Sequence, residues 1–222
     1  MVRRTAWILV LTIALAVPAF AQEHKAEVTV NFGWVFSDGV TGDAIIAGDG
    51  NTYNEITPKD AQAFSFTFGV LPTENTEVGF LWGRQMSELE AKGTATRTVD
   101  IMAVDNYHAY FAYNFGTFDV PVRPNVLFGL GATHYNGVGF TTAAGEQRDI
   151  PGQTKFSTTL GAGVKVYPSP NVGVRFGARW TPTYIKSDAA GWWCDPWWGC
   201  YVVGDAQYSN QFELSGGVAF RF

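Results

Sequence analysis

Beyond residue 21 the chain has no apolar run of 18 residues. A helix needs about 20 to cross a bilayer, so a helical membrane protein is excluded. Cysteine is nearly absent, with only Cys194 and Cys200, and the three histidines, His24, His108 and His134, are scattered. A metal site of clustered Cys and His ligands is therefore not expected, and no cofactor is implied. Basic side chains are also in deficit, 15 against 20 acidic, for a formal charge of −5. Nucleic acid demands a basic face and is excluded as a partner.

The first residues read as a processing segment. Arg3 and Arg4 precede an apolar stretch from Ala6 to Val17, followed by Pro18 and the small-x-small Ala19-Phe20-Ala21. That is the layout of a secretory signal peptide over residues 1–21, with Gln22 as the new N-terminus. Its apolar part is too short to span a bilayer. Removing it takes two arginines and no acid, so the mature charge is about −7.

Aromatics make up 15% of the chain and glycine contributes 25 residues. So aromatic a sequence without long apolar runs hides its apolar residues by alternation. Eight segments alternate with period two. Their apolar rows run through Val28–Phe36, Phe64–Val70, Val78–Trp82, Tyr107–Phe115, Val126–Ala132, Phe156–Val166, Val172–Trp180 and Phe212–Phe222. Small or polar residues occupy the positions between.

Connections alternate in length as well. Residues 71–76, 116–121 and 168–171 make short turns; residues 37–60, 87–98, 136–154 and 185–207 make long loops. Short periplasmic turns and long outer loops are the rule for membrane barrels, and an even strand number leaves both termini periplasmic. The expected fold is all-β: a closed, antiparallel, eight-stranded transmembrane β-barrel over residues 22–222, with outer-membrane lipid as its solvent. A lipocalin-like barrel or a sandwich also alternates, but turns its apolar face inward. Here that face carries Trp34, Trp82, Trp180 and many phenylalanines, which would overfill an eight-stranded interior. One residue fits poorly. Arg84 continues the lipid-facing row of Val78, Phe80 and Trp82, and a bulge near Gly83 is expected to turn it inward.

Three stretches carry a family resemblance: Asn125–Tyr135, Leu160–Trp180 with its proline turn, and the terminal Gly217-Val-Ala-Phe-Arg-Phe222. Gly-rich alternation of this kind resembles the OmpA-like and OmpX-like eight-stranded outer-membrane proteins of Gram-negative bacteria, in their membrane domain only. The resemblance implies that Val218, Phe220 and Phe222 form a C-terminal signal for the barrel assembly machinery, which would be a partner.

Candidate functional residues fall into three groups. Glu27, Arg123, Lys165, Arg175, Arg179, Glu213 and Arg221 should point inward as an ion-pair network, since buried charges must be paired. Glu213 should approach Arg175 or Arg179, and Glu27 should approach Arg221. The cation surplus leaves open a narrow anion-preferring channel. His108 should line the same interior beside Asn106, Tyr110 and Asn114, and is the residue on which an outer-leaflet lipid-modifying enzyme would rest. His134 should sit near the mouth, in interfacial packing or solvent.

The segment Gly191-Trp-Trp-Cys-Asp-Pro-Trp-Trp-Gly-Cys200 is the most unusual. Asp195-Pro196 and Gly199 are turn residues, and an exported Cys194/Cys200 pair is expected to close a disulfide around them. Trp192, Trp193, Trp197 and Trp198 then either pack on the barrel mouth or form a rigid recognition tip for an extracellular ligand. Asp38, Asp43, Asp49 and Asn51 offer oxygen ligands in the first long loop. Their spacing departs from the calcium-loop pattern and reads as a solvated loop. The function read from sequence is therefore a non-enzymatic surface protein that presents long loops.

Mass spectrometry of the mature protein without reductant should give an N-terminus at Gln22 and a peptide joining Cys194 to Cys200. Retained leader, or thiols open to alkylation, would contradict these expectations.

Overall fold

The computed structural model describes residues 26–46, 51–141, 147–185, 194–195, 199–200 and 207–222. The strands are β1 (Ala26–Ser37), β2 (Val40–Ile46), β3 (Thr52–Pro58), β4 (Ala61–Val70), β5 (Thr76–Gly93), β6 (Thr96–Asn114) and β7 (Val122–Tyr135). They continue with β8 (Val138–Thr141), β9 (Gln147–Ile150), β10 (Gln153–Val166), β11 (Val172–Ile185), β12 (Cys194–Asp195), β13 (Gly199–Cys200) and β14 (Gln207–Arg221).

Eight of these form the barrel. The order β5-β4-β1-β14-β11-β10-β7-β6 closes through β5–β6 pairing, and every pairing is antiparallel. The closing pair of first and last strands runs from Glu27↔Arg221 to Ser37↔Gln211 without a break. Closure follows from the solvent: hydrocarbon offers no partner to a backbone N–H or C=O, so an open edge is intolerable. The shortest barrel strand, β4, has 10 residues, which meets the roughly 9–11 that a tilted strand needs to cross.

The bulky rows face outward. Phe32, Phe64, Phe80, Phe128, Phe176 and Trp180 are all exposed, while their neighbours Asn31, Ser65 and Thr159 are buried in the lumen. Trp34, Trp82 and Trp180 gather toward the long-loop end, where Phe64 meets Trp82 edge-on at 6.0 Å and the Trp180 indole donates to Asn210 Oδ1 at 3.1 Å. Indoles favour such a level because one end is apolar and the other seeks a polar partner.

Two expectations need correction. The segment 87–98 is not a long loop. β5 and β6 run on as a ladder to Lys92↔Thr96, with one register shift at Leu89/Glu90. The β2–β3 hairpin adds to this extension through Pro58↔Leu89 and Ile56↔Ala91. Above the barrel body the inward parity is kept, but the inward positions become apolar. Leu89, Met102 and Val104 turn inward and pack with Val40, Tyr135, Val138 and Ile185 in an apolar cluster. The interior is thus not uniformly small and polar.

Short turns close the other end. Gly116 has φ +91°, a conformation costly for residues with a Cβ, and lets the 115–121 turn fold back. Asn75 binds that turn by donating to the carbonyls of Asn114 and Gly116 at 2.8 and 2.9 Å.

The folded protein should migrate differently on a denaturing gel before and after boiling, because a sheet without edges resists detergent. A single unchanged band would contradict closure.

Candidate functional site: the sealed lumen

The lumen near the short turns is built around one lysine. Period two places Lys165 of β10 inward, 1% exposed. Its ammonium lies 2.6 Å from Glu27 Oε1 on β1 and 2.6 Å from Glu77 Oε2 on β5. The Tyr167 hydroxyl donates to the second Glu27 oxygen at 2.5 Å, and the Tyr110 hydroxyl donates to the second Glu77 oxygen at 2.5 Å. Every carboxylate oxygen in this group therefore has a partner, which is what makes buried charge tolerable. Gly69 leaves room for it: a Cβ there would stand 2.6 Å from both Glu77 Oε1 and the Tyr110 hydroxyl.

Below this group the floor is sealed by arginines and rings. Arg221 lies 3.6 Å from the Tyr167 ring centre and 4.7 Å from that of Phe118; Arg123 lies 4.9 Å from Phe118. Both guanidinium groups are buried, and cation–π contact is strongest where water is excluded. Arg221 Nε stands 3.9 Å from Glu27 Oε2. Arg123 also donates to the carbonyls of Glu74 and Gly116, tying two short turns together.

Higher in the lumen, Arg179 pairs with Glu213 rather than Arg175 doing so. Arg175 is half-buried and lies within electrostatic reach of Glu77. Leu81 and Leu127 pack with Tyr110 and Ala112 between the two charged levels. The space left beside Arg179 is about 30 Å³, room for one or two waters.

His108 is 1% exposed and faces this lumen, away from lipid. Its Nε2 shares a hydrogen bond with Ser157 Oγ at 2.9 Å, and Thr133 donates to that same oxygen at 3.0 Å. Asn106 donates to Gln211 at 3.0 Å, and Asn114 donates to Glu77 at 3.4 Å. His134 lies on the outer face, its Nδ1 sharing a hydrogen bond with Thr154 Oγ1 at 2.8 Å.

Arg84 does not turn inward. The β5 ladder is unbroken through Gly83, so Arg84 stays on the outer row opposite Phe64 and Asp105. The physical reason is a partner unseen in the local pattern. Asp105 accepts two hydrogen bonds from Arg84, Nε and Nη2 each at 2.7 Å, and a third from Asn136 at 3.0 Å.

Sequence reasoning missed Glu77, Tyr167 and Ser157. Glu77 was detectable, since it precedes Val78 and so falls on the inward phase. Tyr167 lies past the last outward residue of β10, where alternation carries no information. Ser157 lies 49 residues from His108. Glu77 also reduces the cation surplus on which an anion channel rested.

Among the described residues no group of three His, Cys, Asp or Glu side chains is placed to hold a metal ion. Asp38 precedes β2, Asp43 falls within β2, Asn51 lies in the β2–β3 connection just before β3, and Asp49 lies outside the described residues. Trp192, Trp193, Trp197, Trp198 and the leader also lie outside them. Backbone pairing sets Cys194 opposite Cys200. Val218 and Phe220 are on the outer, lipid-facing row, and Phe222 follows β14.

A family model described as the outer membrane protein beta-barrel domain matches residues 7–222. The chain belongs to this family of outer-membrane β-barrel proteins. The barrel is similar in fold to OprG of Pseudomonas aeruginosa, with TM-score 0.57, 12% identity, and 90% of this chain and 97% of that one covered. It is likewise similar to Neisserial surface protein A, with TM-score 0.55, 17% identity, and coverage of 89% and 97%. Comparison with curated protein sequences finds no match. As an outer-membrane β-barrel, the protein resides in the bacterial outer membrane.

Lys165→Met should strand two buried carboxylates and destabilise the barrel by about 3–5 kcal/mol, read from urea unfolding in lipid vesicles. The triple variant Glu27→Gln/Glu77→Gln/Lys165→Met should recover part of that loss. An unchanged Lys165→Met midpoint would contradict the central role of the lysine.

Proposed function

We propose that the protein is a non-enzymatic surface-recognition barrel, exported by removal of residues 1–21 and inserted by the barrel assembly machinery through Val218, Phe220 and Phe222. In this reading the termini and short turns are periplasmic, and the long-loop end is extracellular. The observation that carries it is the paired charge around Lys165, held by Glu27 and Glu77 with all three side chains about 1% exposed. A lumen filled by fixed ion pairs leaves little for a solute to pass through, so activity belongs to what projects from the other end.

That end is structured to present a surface. The β5–β6 extension, the β2–β3 hairpin and the β8–β9 hairpin rise from the barrel as paired strands, around the apolar cluster of Leu89, Met102 and Tyr135. The opposed backbones of Cys194 and Cys200 suit a disulfide: directly opposite residues have Cβ atoms about 4.5–5.5 Å apart, near the roughly 3.5–4.5 Å of a bridged pair. A bridge there would hold Trp192, Trp193, Trp197 and Trp198 in a preordered tip, which lowers the entropy lost on binding an extracellular ligand.

The second reading is a narrow anion-preferring channel. It draws on Arg123, Lys165, Arg175 and Arg221, which stand near the floor within reach of Glu27, Glu74 and Glu77.

Glycan, lipid and protein panels should include at least one partner bound by the wild type and weakened about tenfold or more, or ~1.4 kcal/mol, in Trp197→Ala/Trp198→Ala. Equal binding of both proteins to every partner would remove the recognition tip. Planar bilayers containing the protein should stay silent under both polarities. Steady anion-selective steps would establish the channel instead.

A further inference from the structure

The lumen carries a charge count that its ion pairs do not close. Five cationic side chains lie between the floor and the apolar cap: Arg123, Lys165, Arg175, Arg179 and Arg221. Glu27, Glu77 and Glu213 answer them from inside, and Glu74 from the turn beside Arg123. Five cations against these four carboxylates leave one positive charge over. Its place is Arg175. Among the described residues this guanidinium makes no hydrogen bond and no ion pair. It lies within electrostatic reach of Glu77, but Glu77 is already held by Lys165 and by the Tyr110 hydroxyl. A charge away from water and without a partner is costly.

A cavity of about 30 Å³ opens beside it. Arg175 and Arg179 line it from β11 and Thr67 from β4, while Leu81 and Leu127 form its apolar side. Gly161 and Gly177 supply the room: a Cβ at Gly177 would meet only backbone of β10 within 4 Å. Two buried groups of this lining have no partner, the Arg179 Nε–H and the Thr67 hydroxyl. Arg179 is 9% exposed at its side chain and Thr67 is 2% exposed. Both can donate a hydrogen bond. Glu213 also lines the cavity, but its two carboxylate oxygens already accept from Arg179 and Ser65.

Water in this space would satisfy the two donors and leave the charge. A monatomic anion would satisfy both, and chloride is little larger than a water molecule. We propose that the cavity holds one chloride ion, bound by Arg175, the Arg179 Nε–H and the Thr67 hydroxyl. The ion is a fixed counter-charge, trapped between the arginine-sealed floor and the apolar cap as the barrel closes. It is distinct from the permeant anion of a channel, and independent of the recognition tip.

The test is urea unfolding of the mature barrel in lipid vesicles at constant ionic strength, with chloride replacing gluconate, which is too large for the cavity. One ion bound to the folded state alone should raise the folded-to-unfolded ratio about tenfold for each tenfold rise in chloride above its dissociation constant. Arg175→Met should abolish that dependence. Thr67→Val, which keeps the shape and every charge, should raise the chloride required several-fold, as the loss of one hydrogen bond predicts; it carries the test if Arg175→Met fails to fold. Crystals grown in bromide should show one anomalous peak within hydrogen-bond reach of Arg175 and Arg179. A wild type indifferent to chloride, variants with the wild-type chloride dependence, or a cavity without anomalous signal would each overturn the proposal.

Discussion

The structure depends on closure. A backbone group in hydrocarbon has no water to turn to, so β1 must pair with β14 along its whole length. Closing with eight strands fixes a narrow circumference, and the narrow circumference fixes what the interior can hold. Bulky side chains are driven to the lipid side, where Phe32 and Phe176 are more than half exposed. The inside is left mainly to glycine, to hydroxyls and to long charged side chains that reach across and neutralise one another, with Leu81 and Leu127 as an apolar layer among them.

This constraint orders the lumen in levels. Arginines stacked on Tyr167 and Phe118 seal the short-turn end, and Lys165 bridges Glu27 and Glu77 just above. Leu81 and Leu127 come next, then Arg179 with Glu213 and the hydroxyl–amide network around His108. An apolar cap of Leu89, Met102 and Val104 stands at the long-loop end. Each buried charge in the Lys165 group is matched by a partner from a strand distant in sequence, so the network also fixes which strands lie across the lumen from one another.

The membrane-spanning part was legible because lipid imposes one rule along every strand. Period two in Phe64, Phe66 and Phe68 gives the face directly, and short turns at 71–75 and 167–171 follow from prolines and polar residues. Inward placement of Arg123, Arg179 and Arg221 follows from the same parity. Legibility ended where the solvent changes. Above the barrel body the inward parity is kept but the inward positions become apolar, as at Met102 and Val104, so the pattern that marks a lipid-facing strand is lost and an extended ladder read as a loop. Partners across the lumen were also hidden. Parity says that Glu77 and Lys165 point inward, but their meeting depends on eight-strand closure and on residues 88 apart. Arg84 shows the converse error: a charge on a lipid-facing row looked misplaced until Asp105 on the next strand supplied its counter-charge.

The direction of the aromatic rows can be measured without function. Single spin labels at successive β4 positions from Phe64 to Val70, in a Cys194→Ser/Cys200→Ser background reconstituted in lipid, report collision with dissolved oxygen and with a water-soluble nickel complex. Oxygen accessibility should peak at positions 64, 66, 68 and 70, and fall at 65, 67 and 69. Peaks at 65, 67 and 69 instead, or nickel access equal along the whole strand, would show that the aromatic rows do not face hydrocarbon and would contradict the account.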